Sequence, residues 1–365
     1  MAALKVRISI LLSATLLGLT FPVAPHADWG LAQTTYLDTG ENVPVYPPTA
    51  PPPRQDPLPP ERRRQEILEP EEADFRVTAL QPDYTGDLWV GSWQGLTRLN
   101  PNTGRILARI DLPNYTINAL AQDRVGRIWV GTHQGLLRVD PRSNEVTAYN
   151  YTLPSNQVLS LLIDRRGYLW AGTDRGLALI SPDQGLLMTT LQDLPGVAAN
   201  TMTLDAEGQL WVGTLEGLVR VDTRSAFIIG RMSQIPGGVA QTMTLAPNGQ
   251  LWVGTSNSLL VIDPQTREVL RSVTPFRGRN VKSVRFPLDG SVWVGTENGL
   301  AKIKADSGAV LGRVANLPSS RILSLAPDTG NKLWVGTTEG LAWVSQTTGR
   351  VQPHLAFVRE RPINF

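Results

Sequence analysis

The chain has 365 residues, room for one large domain or two ordinary ones, and its 34 Lys and Arg nearly balance 32 Asp and Glu. That balance leaves no basic footprint for nucleic acid and no acidic tail. The absence of cysteine excludes disulfides, thiolate nucleophiles, Cys-ligated metals and Cys-linked lipids.

At the N-terminus, Lys5 and Arg7 precede an apolar run from Ile8 to Phe21, broken by Ser13, Thr15, Gly18 and Thr20. A cationic start before an apolar stretch too short for a comfortable span is the layout of a secretory signal. Small residues at Gly30 and Ala32 favour cleavage after Ala32. Residues 1–32 are therefore expected to be a signal peptide and the mature chain to be periplasmic or secreted; the alternative is an uncleaved anchor. No later segment is apolar for long enough to cross a bilayer. Residues 33–74 read as a Pro-rich, mostly disordered linker, because the prolines between Val43 and Pro60 favour an extended spacer. The three arginines Arg62, Arg63 and Arg64 are too few to hold a membrane surface alone. Residues 65–70 resemble the end of an outer strand, which suggests that residues 61–72 help close the domain that follows.

From Leu88 onward one unit repeats. Trp-[Val/Ala]-Gly-[Ser/Thr] recurs at Trp89, Trp129, Trp170, Trp211, Trp252, Trp293 and Trp334, one step of 40 residues and five of 41. In the second unit, Thr116–Gln122, Arg127–Thr132, Leu136–Asp140 and Glu145–Thr152 are strand-length runs separated by turn residues, giving four strands, a to d. Gly95, Gly135, Gly176, Gly217, Gly299 and Gly340 close the b–c hairpin, and Ser258 in that place predicts a strained or differently shaped turn. Asp83, Asp123, Asp164 and Asp205 open the a–b turns as self-capping residues, whereas Ala246 and Pro287 take their place later. Four short strands cannot bury both faces, but seven such units set radially can. The expectation is an all-β, seven-bladed β-propeller over residues 75–358, with four antiparallel strands per blade, no strand exchanged between ends, and a tail at 359–365. The seven tryptophans are expected to be structural, wedged between blades, with the nearby Gly making room for the indole. Ala79, Ala119, Ser160, Thr201, Thr242, Ser283 and Ser324 are expected to ring a crowded axial channel.

The segments from Asp123 to Pro141 and from Asp205 to Asp222 resemble the two-component regulator propeller repeat, and the likeness extends over about residues 75–358. The resemblance implies a ligand-binding, sensor-like propeller, as found in periplasmic sensor regions of bacterial hybrid histidine kinases and in free-standing secreted proteins. With no kinase after the propeller, any signal is expected to pass through a partner.

Function is expected where the repeat fails to repeat. In a propeller the b–c and d–a loops share one end, and loops on a rigid scaffold commonly bind. The candidate ligand or partner face comprises Trp93, Tyr115, His133, Asp174, Arg175, Glu216, Arg279, Glu297, Arg321 and Glu339. Trp93 stands out because an exposed indole is costly unless it packs or binds. The acids Asp174, Glu216, Glu297 and Glu339 are expected around the channel mouth, but no calcium-loop spacing occurs among them. Of three histidines only His133 falls on this face, a poor base set for a streptogramin-lyase-like enzyme. The reading is a monomeric, non-catalytic recognition module without metal or cofactor, for a small ligand, glycan or envelope protein. The alternatives are a propeller enzyme acting at the channel mouth and a structural assembly factor of the envelope.

Overall fold

The computed structural model describes residues 74–150 and 152–358. The expected signal peptide, the linker up to residue 73 with the suggested closing segment 61–72, and the tail 359–365 lie outside the described residues. Twenty-eight strands form seven four-stranded sheets, each built from four consecutive strands. Neighbouring strands are antiparallel throughout, as in blade two, where Ile117–Gln122, Ile128–Thr132, Gly135–Asp140 and Glu145–Asn150 pair in order. This is the seven-bladed β-propeller that the repeat predicts. The described residues contain no α-helix, only the 3-10 turns Thr274–Phe276 and Leu355–Phe357.

A single sheet of this size cannot shield both faces, and the core accordingly lies between blades. Seven apolar clusters each take residues from two successive blades, the seventh joining Trp334, Leu341 and Phe357 to Val77, Leu88 and Val90. The repeat tryptophans are between 0% and 6% exposed, so they are structural as expected. In blades one to four the indole N–H donates to the Asp that opens the a–b turn, from Trp89 to Asp83 at 2.9 Å through Trp211 to Asp205 at 3.0 Å. The same carboxylate caps its turn, Asp205 accepting from the N–H groups of Glu207 and Gln209. In blade seven the carbonyl of Thr329 takes the indole proton instead.

The glycine after each tryptophan has a different role from the one expected. A Cβ on Gly91 would lie 2.6 Å from Ile117 Cγ2, and one on Gly131 2.6 Å from Val158 Cγ1. The space therefore belongs to the first residue of the next blade's inner strand, not to the indole. The hydroxyl that follows closes the hairpin: Thr132 Oγ1 donates to the Gly135 carbonyl and accepts the Gln134 N–H. At the one hairpin without Gly, Ser258 keeps an ordinary φ, and strand c starts at Leu259. That turn is differently shaped rather than strained.

The small residues of strand a are also displaced from the expected place. Ala79, Ser160, Thr242 and Ser324 sit opposite Gly91, Gly172, Gly254 and Gly336 in the ladder, crowded between strands rather than around the axis. The register slips around Thr78, Asn118, Leu159, Gln241, Lys282 and Leu323, each one residue before the small position. A bulge re-aims a side chain, and these are the residues that line the axis.

Among the described residues, ring closure uses no shared strand. Ser324 Oγ donates to the Val77 carbonyl at 3.1 Å, and Lys332 Nζ donates to the carbonyls of Pro101 and Asn102 at 2.8 and 2.6 Å. His354 Nε2 lies 2.7 Å from the Gly104 carbonyl. The last outer strand is short, spanning only Val351–Pro353. Past Pro353 the chain turns back through Leu355–Phe357, which buries Phe357 in the closing cluster.

Candidate functional site

The two ends of the ring differ in how their charges are used. At the a–b and c–d end, cations lie over the repeat tryptophans: Arg98 over Trp89 at 5.6 Å, Arg138 over Trp129 at 5.6 Å and Arg220 over Trp211 at 5.9 Å. Arg220 also pairs with buried Asp205 at 2.7 Å, and Arg127 with buried Asp123 at 2.6 Å. Arg98 and Arg138 reach the Pro141 and Pro182 carbonyls in the next blade. Most of these charges serve the scaffold.

At the b–c and d–a end, three of the sequence-predicted residues converge. Trp93, Tyr115 and His133 line a cavity of about 570 Å³ between blades one and two, together with Asp74, Arg76 and Gln134. Trp93, 38% exposed, meets Phe75 edge-on at 5.3 Å. Tyr115 and His133 are edge-to-face at 6.5 Å. His133 Nδ1 accepts the Thr116 N–H at 2.9 Å, which leaves Nε2 facing the Gln134 amide at 3.1 Å. No carboxylate among the described residues lies within hydrogen-bonding reach of His133. Arg76 Nε donates to both oxygens of Asp74, at 2.9 and 2.7 Å. Burial alone would raise the Asp74 pKa, but the hydrogen bonds and charge of Arg76 outweigh it and hold the carboxyl below its ordinary value.

The other seven predicted residues are spread around the face. Asp174 has one buried carboxyl oxygen without a partner among the described residues, next to exposed Arg175. Glu216 and Arg321 are exposed, and Arg279 is half-buried. Glu297 accepts from the Asn280 amide at 2.8 Å, 4.0 Å from Lys282 Nζ. Glu339 lines a cavity of about 690 Å³ with Leu317 and Leu355. The acids do not converge: among the described residues no group of three His, Asp or Glu is placed to hold a metal ion.

Sequence reasoning missed the axial funnel. A further cavity on this face, about 560 Å³, takes the residue before the small strand-a position from each blade, Thr78, Asn118, Leu159, Asn200, Gln241, Lys282 and Leu323, with Leu215 and Val239 beside them. Thr78 also lines the first cavity, so the two adjoin. Thr78 Oγ1 donates to the Ile117 carbonyl and Asn118 Nδ2 to the Val158 carbonyl, linking inner strands of neighbouring blades.

Residues 111–134 and 152–175 match the model of the two component regulator propeller family. Each match runs from before an inner strand to a b–c turn. No curated protein matches the chain. An extracellular domain assigned to a hybrid two component system of B. thetaiotaomicron aligns with a TM-score of 0.63 and 21% identity, over 74% of this chain and 40% of that one. An extracellular domain assigned to a one component system of the same organism aligns with a TM-score of 0.48 and 18% identity, over 76% of this chain and 54% of that one. This chain thus spans less than two thirds of either. Similarity at this identity is one of fold, and 1375 solved chains share it. No helix of the described residues is long and apolar enough to cross a membrane.

Proposed function

We propose that this chain, which carries two-component regulator propeller repeats, is an exported, non-catalytic recognition module that binds a ligand or partner through its b–c and d–a loop face. The convergence of Trp93, Tyr115 and His133 in one cavity beside the Asp74–Arg76 pair carries this reading. Amphipathic rings around a few fixed polar groups are what a binding cavity needs. The opposite end supports it by contrast, because its arginines already stack on tryptophans and pair with carboxylates. The lone His133, with Nδ1 engaged by backbone and no carboxylate in reach, argues against general-base chemistry. Export rests on the N-terminal segment and on the extracellular setting of the aligned domains.

Capture from an envelope fraction tests the reading. Wild-type protein should retain a partner that W93A loses at least tenfold, with R175A intermediate or unchanged and both variants folded by circular dichroism. Equal capture by wild type and W93A would remove the cavity from the recognition surface.

A further inference from the structure

Six of the seven inner strands carry no charged residue: Val77–Pro82, Ile117–Gln122, Val158–Ile163, Thr201–Leu204, Ala240–Leu245 and Ile322–Ala326. The strand of blade six, Val281–Arg285, carries Lys282 and Arg285, both positive. Chance placement of charge on a surface needs no account, but these two stand on the innermost strand of one blade while the corresponding strands of the other six carry none. Lys282 is aimed at the axis by its bulge. Its ammonium donates to Gln241 Oε1 at 3.0 Å and has Glu297 at 4.0 Å, which leaves a third donor unused. Arg285 makes one hydrogen bond, to the Val284 carbonyl, and no carboxylate among the described residues is within ion-pair range. Burial lowers the Arg285 pKa, as expected for a cation without a counterion.

Leu159 of blade three and Leu323 of blade seven flank the polar residues of blades four to six, and Leu215 and Val239 add apolar surface from the loops of blades four and five. Asn200 and Gln241 supply amides, and the Asn200 side chain makes no hydrogen bond among the described residues. A cation with a free donor, an unused amide and apolar residues on either side of them in one cavity match a short ligand that pairs a carboxylate with a branched hydrocarbon.

We propose that the axial funnel is a second binding site on this face, for an aliphatic carboxylate held by Lys282 and Asn200 with its hydrocarbon against Leu159 and Leu323. The same chemistry is offered by a free branched-chain acid and by the C-terminus of a peptide ending in leucine. The proposal deepens the recognition reading of this face, but it does not need the Trp93 cavity.

Isothermal titration of the full chain at low ionic strength tests it with three probes: 4-methylpentanoate, acetyl-Gly-Leu with a free carboxylate, and acetyl-Gly-Leu amide. Both carboxylates should bind and the amide should bind at least tenfold more weakly. A preference between the two acids identifies the source. K282M should weaken carboxylate binding at least tenfold, and N200L less, while W93A leaves it unchanged. Half-buried Lys282 makes no contact in any apolar cluster, and an unchanged melting temperature of K282M will show that the ring is intact. Absence of binding by wild type, equal binding of the amide, or undiminished binding by K282M each overturns the proposal. Loss in W93A moves the carboxylate to the neighbouring cavity, which overturns the funnel site and leaves the recognition face standing. Loss of partner capture with intact carboxylate binding has the opposite meaning.

Discussion

Replacing Asp205 by alanine removes the centre of the blade-four turn. Its fully buried carboxylate accepts from the N–H groups of Glu207 at 3.1 Å and Gln209 at 2.8 Å, from Trp211 Nε1 at 3.0 Å and from Arg220 Nε at 2.9 Å. The two turn N–H groups lie near solvent and can be rehydrated. The indole of Trp211, 1% exposed, cannot, and an unsatisfied buried donor costs about 1–3 kcal/mol. Arg220 retains Glu207 at 3.3 Å, so its loss falls below the roughly 3–5 kcal/mol of a fully broken buried pair. Taking about 2 kcal/mol for the indole and about 1–2 kcal/mol for the weakened Arg220 pair, the sum for D205A is about 3–4 kcal/mol. At about 2 °C per kcal/mol for a domain of this size, the melting temperature should drop by about 6–8 °C. Thermal unfolding followed by far-ultraviolet circular dichroism measures it. Blade five supplies the reciprocal experiment, since Ala246 already occupies the Asp position and Arg271 lies over Trp252 at 5.5 Å. There A246D should leave stability unchanged or raise it. A fall of less than about 2 °C in D205A would refute the view that this carboxylate organises the blade.

Two further experiments probe other parts of the scaffold. Asp289 would be raised by burial, but hydrogen bonds from Lys302 and Ser291 prevail and lower its pKa to about 2. A carboxyl depressed in the fold contributes stability above its unfolded pKa of about 4 and loses it as pH falls through the folded value. D289N should therefore be less stable than wild type at pH 6 and equal to it near pH 2; a gap that persists at low pH contradicts the assignment. At the ring joint, a Cβ on Gly336 would lie 2.4 Å from the Val77 carbonyl oxygen, whereas one on Gly249, at φ +83°, meets nothing within 4 Å. By urea midpoint, G336A should lose more stability than G249A, whose left-handed strain costs about 1–2 kcal/mol. The reverse order would show that the joint yields easily.

The blades were legible because their determinants are local and recur at fixed spacing. Trp at 40- or 41-residue steps, Asp to Gly across a turn and Gly at the hairpin each need only neighbours in the chain. The Asp83–Trp89 bond was less visible, for it depends on the twist of the intervening turn. The misassigned Gly91 and Ala79 show where pattern stops: both positions are small for contacts with the next blade, and the identity of that neighbour follows only from closure. The axial ring was hidden by single-residue bulges, which shift a side chain without altering the alternation around it. One trace did exist. Positions 78, 118, 159, 200, 241, 282 and 323 vary between apolar flanks and small residues that hardly change. That is the same contrast which drew attention to Trp93, and Lys282 was its most informative member. The convergence of Trp93, Tyr115 and His133 required knowing that the d–a loop before one blade meets the b–c loops of two.

Among the described residues the last joint of the ring shares no strand, and within them no blade is privileged as the first. Phe357 and Val77 already lie in one cluster, so a short bridge between those ends and a cut in any other d–a loop would leave every sheet whole. The order in which the blades are synthesised is thus separable from the order in which they stand around the axis. The loop face belongs to the circle, not to the direction in which the chain runs around it.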